Sequence, residues 1–320
     1  MRRALLIGGT RNLGPGIAAA LLEAGFSVTV FHRGITRSSA LPPEVQRVLG
    51  DRSDPSQLPA GAFDVIVDTT LYNGRDAAAA RDAFRDRTGR YVMLSTGQVY
   101  LVREGLARPF AERDYAGPVI PEPTDSKFDR DNWAYGFHKR AAEDALAAAA
   151  FPVTVLRLPM VNSERDHFHR IRNYLARLRD GGPILIPDGP HLPLRHVYGK
   201  DVVSAVMRVI AAGVSGAFNV GQDETVTIDD FLARLSGGKA QIRRVPATVL
   251  WERGLMPACS HFSEPWMSAL DNRLGKAKLG LTYTPLEEYL AVLVQDFEAN
   301  PTPPPGYEQR PAELEILLEP

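Results

Sequence analysis

Cysteine is almost absent: Cys259 stands alone in 320 residues, so no internal disulfide can form and the composition suits a reducing compartment. Long apolar runs are missing as well. No window approaches the roughly 18 residues that a transmembrane helix needs. The apolar stretch behind the two N-terminal arginines, Ala4–Ile7, is shorter than the core of a signal peptide. Charge of one sign is also lacking. Lys and Arg number 37 against 38 Asp and Glu, a formal net charge of −1, which leaves no global field to attract nucleic acid or an anionic membrane. No repeat recurs at solenoid spacing. His167 and His169 are spaced i, i+2, which does not share a helix face, so no metal site is expected. The expectation is a cytoplasmic protein, large enough for a sizeable core, with no membrane partner and no nucleic acid.

What is present begins at once. Ala4 to Leu22, ALLIGGTRNLGPGIAAALL, predicts a buried strand, a glycine-rich turn and a helix. Gly8 and Gly9 allow a tight turn with backbone close to a ligand. Asn12 is expected to cap the helix, with Pro15 in its first turn. The turn offers free N–H groups and a positive dipole end to a pyrophosphate. The run Gly8, Gly9, Thr10, Arg11, Asn12, Leu13, Gly14 departs from the usual dinucleotide pattern, because Arg11 stands where its middle glycine belongs.

Strand-like runs follow at Phe26–Phe31, Val45–Leu49, Phe63–Val67, Arg90–Leu94 and Val153–Leu158, with helices expected over Gly74–Arg87 and Trp133–Ala150. This alternation predicts an α/β fold, a doubly wound parallel Rossmann sheet, with ligands beyond the C-terminal strand ends. Those ends carry Gly8, Arg33, Asp51, Thr69 (with Thr70 behind it) and Thr96. The second strand ends in His32-Arg33-Gly34, where a carboxylate would bind the 2′-hydroxyl of NAD; Arg33 and Arg11 instead suit the 2′-phosphate of NADP. Residues 101–130, rich in Pro, Gly and charge, predict a long loop or small substructure, either a functional lid or disordered. Tyr135 and Lys139, at i and i+4, share one helix face.

The glycine turn, Ser95-Thr96-Gly97-Gln98-Val99-Tyr100 and Tyr135-x-x-x-Lys139 together resemble the extended short-chain dehydrogenase/reductases, the nucleotide-sugar epimerase and dehydratase type. Leu156-Arg157-Leu158-Pro159, Arg195-His196-Val197-Tyr198 and Gly216–Gly221 continue the resemblance in order along the chain. It implies a catalytic set of Thr96, Tyr135 and Lys139. It also implies dinucleotide contacts from Gly8 to Gly14, Arg33, Asp51, Thr69, Thr70, Tyr135 and Lys139, and substrate contacts from Thr96, Gln98 and Arg195. The implied domains are a Rossmann unit of residues 1–158 and 195–225, and a smaller C-terminal α/β substrate unit of 159–194 and 226–320.

The resemblance implies hydride transfer at a secondary alcohol or ketone of a small-molecule substrate, a nucleotide sugar in much of the family, and a homodimer. Tyr135 would be the acid/base, its phenol lowered by the lysine ammonium one turn away and by the positive charge of the nicotinamide. Gly97-Gln98 replaces the Asp-Glu pair that dehydratases carry after the catalytic Thr, which disfavours dehydration. The sequence GGTR also resembles the atypical branch that includes chloroplast stem-loop RNA-binding proteins, so an RNA-binding or dinucleotide-sensing protein is the alternative. The basic stretch Glu164–Arg179, with Arg165, Arg170, Arg172, Arg177 and Arg179, is either a diphosphate site or the solvated face of an amphipathic helix.

Overall fold

A computed structural model describes residues 1–36 and 39–318. The chain opens with β1 (Arg2–Ile7), α1 (Gly14–Glu23), β2 (Phe26–His32), β3 (Gln46–Leu49), β4 (Val65–Asp68), α2 (Gly74–Ala83), β5 (Tyr91–Thr96), α3 (Gln98–Leu101), α4 (Lys127–Ala147) and β6 (Val153–Leu158). It continues through β7 (Val161–Asn162), α5 (Arg170–Arg179), β8 (Ile184–Pro187), β9 (Val197–Tyr198), α6 (Gly199–Ala212) and β10 (Gly216–Asn219). Last come α7 (Ile228–Ser236), β11 (Ile242–Val245), α8 (Ala247–Glu252), α9 (Arg273–Leu279), α10 (Leu286–Ala299) and α11 (Arg310–Glu315).

One seven-stranded sheet runs in the order β10-β6-β5-β4-β1-β2-β3. Every pairing in it is parallel. The fold is therefore the expected doubly wound α/β sheet. Ala4, Leu6 and Val30 pack under α1 and α6 on one face, and Leu5, Ile66 and Met93 pack under α2 and α4 on the other. Burial on both faces explains why these strands read as continuous apolar runs. A separate core gathers Tyr174, Phe231, Phe262 and Tyr289 from α5, α7, α10 and the segment before α9. Among the described residues no helix is long and apolar enough to cross a membrane.

Three local expectations are corrected. Asn12 does not cap α1: it has φ 46°, the helix opens at Gly14, and the Asn12 side-chain Oδ1 accepts from the Ser163 hydroxyl at 2.6 Å. A tertiary partner has replaced the local one. The helix carrying Tyr135 begins at Lys127, inside the stretch expected to be loop, because Ser126 caps it by accepting from Asp129 N–H at 3.0 Å. Of Glu164–Arg179 only Arg170–Arg179 is helical, since Asp166 accepts from the Phe168 and Arg170 N–H groups and holds a turn ahead of α5.

Candidate active site

The strand ends of β1, β2, β3, β4 and β5 open onto one cleft of about 910 Å³. Gly8 to Gly14, Arg33, Asp51, Thr69, Thr70, Thr96, Gln98, Tyr135 and Lys139 all line it. Arg195 does not. Its guanidinium Nε donates to the Gln222 carbonyl at 2.8 Å.

The glycine turn is a cradle that side chains would fill. Gly8 and Gly9 adopt φ 87° and 80°, and a Cβ on Gly8 would meet the Thr69 Oγ1 at 2.4 Å. A Cβ on Gly14 would lie 2.2 Å from Gly9 main-chain atoms. Backbone cannot yield as a flexible side chain does, so Gly14→Ala is expected to cost about 1–3 kcal/mol in stability by overpacking. The same change should weaken dinucleotide binding about tenfold or more, checked by denaturant unfolding and a binding titration on one preparation. Gly9 N–H donates to Thr69 Oγ1 at 3.2 Å, tying the turn to the end of β4. Arg11 lies on the rim, where its Nε donates to Thr36 Oγ1 at 3.0 Å.

At the middle of the cleft, β5 delivers Thr96 and α4 delivers Tyr135 and Lys139. The Tyr135 side chain is 37% exposed and lines the open cleft together with Thr96. Lys139 is buried, and its ammonium donates to the Leu94 carbonyl at 2.9 Å. The nitrogen lies 4.8 Å from the Tyr72 ring centre and 5.9 Å from that of Tyr135. Burial lowers its pKa to about 8, against the pull of Asp68 and Glu143. It is thus largely protonated at pH 7 and loses its charge as pH rises through 8.

The chain's own groups do not lower the Tyr135 phenol. Burial first, then the Tyr72 phenol, pushes the pKa above its ordinary value; the Thr96 hydrogen bond and Arg170 oppose this. Lys139 is turned towards the Leu94 carbonyl instead. With nothing else in the cleft Tyr135 stays a phenol.

Several residues that sequence reasoning passed over support this centre. Asp68, at the end of β4 and fully buried, accepts from Arg52 Nη1 at 2.6 Å, the Tyr91 hydroxyl at 2.5 Å and Thr70 N–H at 2.9 Å. Arg52 Nε and Nη2 are buried beside the cleft without a hydrogen-bond partner. Glu143, one turn beyond Lys139, accepts from the Ser95 hydroxyl and from Arg157. Asp68 and Arg52 sit at strand ends and Glu143 at i+4 from Lys139, so the rules that found their neighbours apply to them too. Arg52 is paired with Asp68 and Asp76, and the glycine cradle is the part of the cleft that fits a dinucleotide phosphate backbone.

The basic stretch takes the amphipathic form over Arg170–Arg179, with Ile171, Tyr174 and Leu175 buried, but most of its arginines are ion-paired rather than solvated. Arg170 pairs with Asp166, Arg172 with Asp296 and fully buried Arg177 with Glu313. Arg165 and Arg179 are exposed. His167 reaches the cleft edge, and among the described residues no three His, Cys, Asp or Glu side chains are grouped to hold a metal ion.

Residues 4–221 match the NAD dependent epimerase/dehydratase family. The chain belongs to this family. A curated relative is the chloroplast stem-loop binding protein of 41 kDa b from Arabidopsis thaliana, 25% identical over 248 residues, which are 71% of this chain and 61% of that protein. The chain therefore spans about three fifths of that relative's length. Among solved structures it is similar to the Bordetella bronchiseptica enzyme WbmH in complex with NAD+, with TM-score 0.71, 21% identity and 94% and 100% of the two chains covered. It is also similar to a UDP-glucose 4-epimerase with UDP-glucose from Thermotoga maritima, with TM-score 0.70, 18% identity and the same coverage. These two likenesses speak to the epimerase/dehydratase fold.

Proposed function

We propose that this chain is a dinucleotide-dependent enzyme that transfers hydride at a secondary alcohol or ketone, as an epimerase or a reductase. The observation that carries the reading is the meeting of Thr96, Tyr135 and Lys139 in the cleft that the glycine turn opens onto. The nicotinamide, when bound, supplies the hydride acceptor or donor. The chain supplies the rest. The Thr96 and Tyr135 hydroxyls hold the substrate oxygen, and Tyr135 gives or takes the proton there. Burial keeps Tyr135 a phenol, the form that protonates a carbonyl oxygen. Lys139, buried beside Tyr135, is the group assigned to the ribose hydroxyls of the dinucleotide. The sugar ring of a nucleotide sugar is one such substrate, supported by the similar epimerase solved with UDP-glucose.

We assign NADP over NAD on charge. No carboxylate ends β2, and both Arg33 and Arg11 face the cleft. Arg33 lies near Asp51, whose carboxyl is held below its ordinary range by two Ser53 hydrogen bonds, with Arg33 adding to them. Against this, the similar solved enzymes were captured with NAD. A guanidinium–phosphate bond contributes about 1.5–3 kcal/mol, so Arg33→Ala should weaken NADPH binding about tenfold to a hundredfold and leave NADH nearly unchanged. Equal losses for both cofactors would remove the 2′-phosphate assignment.

A second reading, RNA binding, is favoured by the stem-loop binding relative. The balanced charge opposes it. RNA affinity falling steeply with salt would support it.

A further inference from the structure

Two residues one turn apart on α4 hold two consecutive residues of β5. The Lys139 ammonium donates to the Leu94 carbonyl at 2.9 Å, and the buried Glu143 carboxylate accepts from the Ser95 hydroxyl at 2.5 Å. The next residue of the strand is Thr96, and one turn back on the helix is Tyr135. Spacing at i and i+4 gives Lys139 and Glu143 one helix face, so both bonds pin the same face of α4 to the end of β5. Glu143 is itself fixed. Arg157 stands opposite Ser95 in the neighbouring strand and donates to the carboxylate from Nε at 3.1 Å and from Nη2 at 2.6 Å. Its Nη1 donates to the Tyr100 hydroxyl at 2.7 Å. A buried negative charge is therefore locked beside the strand end on which the ammonium docks.

The groups that face Lys139 come from three regions. Asp68 lies at the end of β4, Glu143 on α4 and Arg52 in the loop behind β3. The Tyr72 and Tyr135 rings have their centres 4.8 and 5.9 Å from the nitrogen. Burial acts against the ammonium most strongly; Asp68 and Glu143 sustain it, and Arg52 opposes them. Asp68 is already shared among Arg52, the Tyr91 hydroxyl and Thr70 N–H. Glu143 belongs to the lysine's own helix and holds the residue next to Leu94.

We propose that Glu143 is a positioning residue for the Thr96, Tyr135 and Lys139 centre, docking α4 on Ser95 and supplying the buried negative charge that keeps the Lys139 ammonium at the Leu94 carbonyl. This rests on the dinucleotide-dependent reading above and names the group that prepares its lysine. Two effects on Lys139 have opposite signs, which makes the proposal separable from a merely structural role. Loss of the Glu143 charge disfavours the ammonium and lowers its titration midpoint from about 8. Loosening of the packing admits water and raises the midpoint towards that of a free lysine.

The test is NMR of the protein carrying ε-13C-labelled lysine, titrated from pH 6 to 11. The chain has six lysines, and Lys139→Met identifies the Lys139 signal by its loss. The expected result is a midpoint about one pH unit lower in Glu143→Gln, whose amide still accepts from Ser95. Glu143→Gln leaves the Arg157 cation unpaired, so the double variant Glu143→Gln with Arg157→Gln carries the test where the single one does not fold. Its midpoint should also fall, by less, because a more distant positive charge is lost with the negative one. A midpoint that stays or rises overturns the proposal. NADPH titrations between pH 7 and 9 on the same preparations separate the two levels. In the wild type, affinity should decline as pH rises through the Lys139 midpoint, and in the variants that decline should begin at lower pH. A decline that does not follow the midpoint overturns the positioning role. Wild-type protein that binds no dinucleotide overturns the reading beneath, and the lysine titration still decides whether Glu143 sets the charge of Lys139.

Discussion

Tyr135→Phe is expected to lower the turnover number about a thousandfold while leaving dinucleotide affinity within a few-fold of wild type. The substitution removes one hydroxyl from a ring that keeps its contacts with Tyr72 (ring centres 6.3 Å apart) and the Lys139 ammonium. What disappears is the proton that the phenol delivers to the substrate oxygen and one of the two hydroxyls that hold it. The second hydroxyl, on Thr96, remains, so substrate binding should change far less than turnover. The measurement is the rate of nicotinamide oxidation by a ketone substrate, beside a fluorescence titration of the dinucleotide. A variant that turns over at the wild-type rate would assign the proton transfer to another group. Tyr72, half-exposed in the same cleft, is the one to examine next.

Glu313→Ala is expected to destabilise the fold by about 3–5 kcal/mol, a large part of the 5–15 kcal/mol that holds a typical domain together. Arg177 is fully buried in α5 and Glu313 is fully buried in α11, and the guanidinium Nε donates to the carboxylate at 2.9 Å. Arg310 adds a second donor to the same carboxylate at 3.0 Å. Removing Glu313 leaves the Arg177 cation in the interior with only the Asn173 oxygens as acceptors. Desolvation without compensation drives the loss, so the double variant Arg177→Met with Glu313→Leu should recover much of it. Denaturant unfolding of the wild type, both single variants and the double variant decides the matter. Additive losses would mean that lost packing, rather than an unpaired charge, explains the effect.

This pair also marks where sequence reading stops. The sheet is legible because its strands are buried on both faces and print as apolar runs; Val153–Leu158 emerges with the same bounds in sequence and structure. Tyr135 and Lys139 are legible because helix geometry alone puts i and i+4 on one face. The start of α4 had a readable signal in Ser126 and Asp129, spaced as a cap requires, but the surrounding Pro, Gly and charge masked it. Arg177 offered no such signal. A basic residue in an amphipathic pattern reads as solvated, and only the return of α11 across the chain buries it. The Asn12 cap failed for the same reason, since its side chain is committed to a partner distant in sequence, Ser163. His261 and Glu264 lie in irregular chain between α8 and α9, where no period or motif marks a residue, and their burial in the cleft is a property of the fold alone.

The most direct test of the account is a paired fluorescence titration of NADPH and NADH into the wild-type protein. The account predicts saturable binding of both, with NADPH tighter because Arg33 and Arg11 face the adenosine end of the cleft without a carboxylate at the end of β2. Tighter NADH would overturn the cofactor preference and leave the hydride-transfer reading standing. Binding of neither would contradict the central claim that this cleft holds a dinucleotide beside Tyr135.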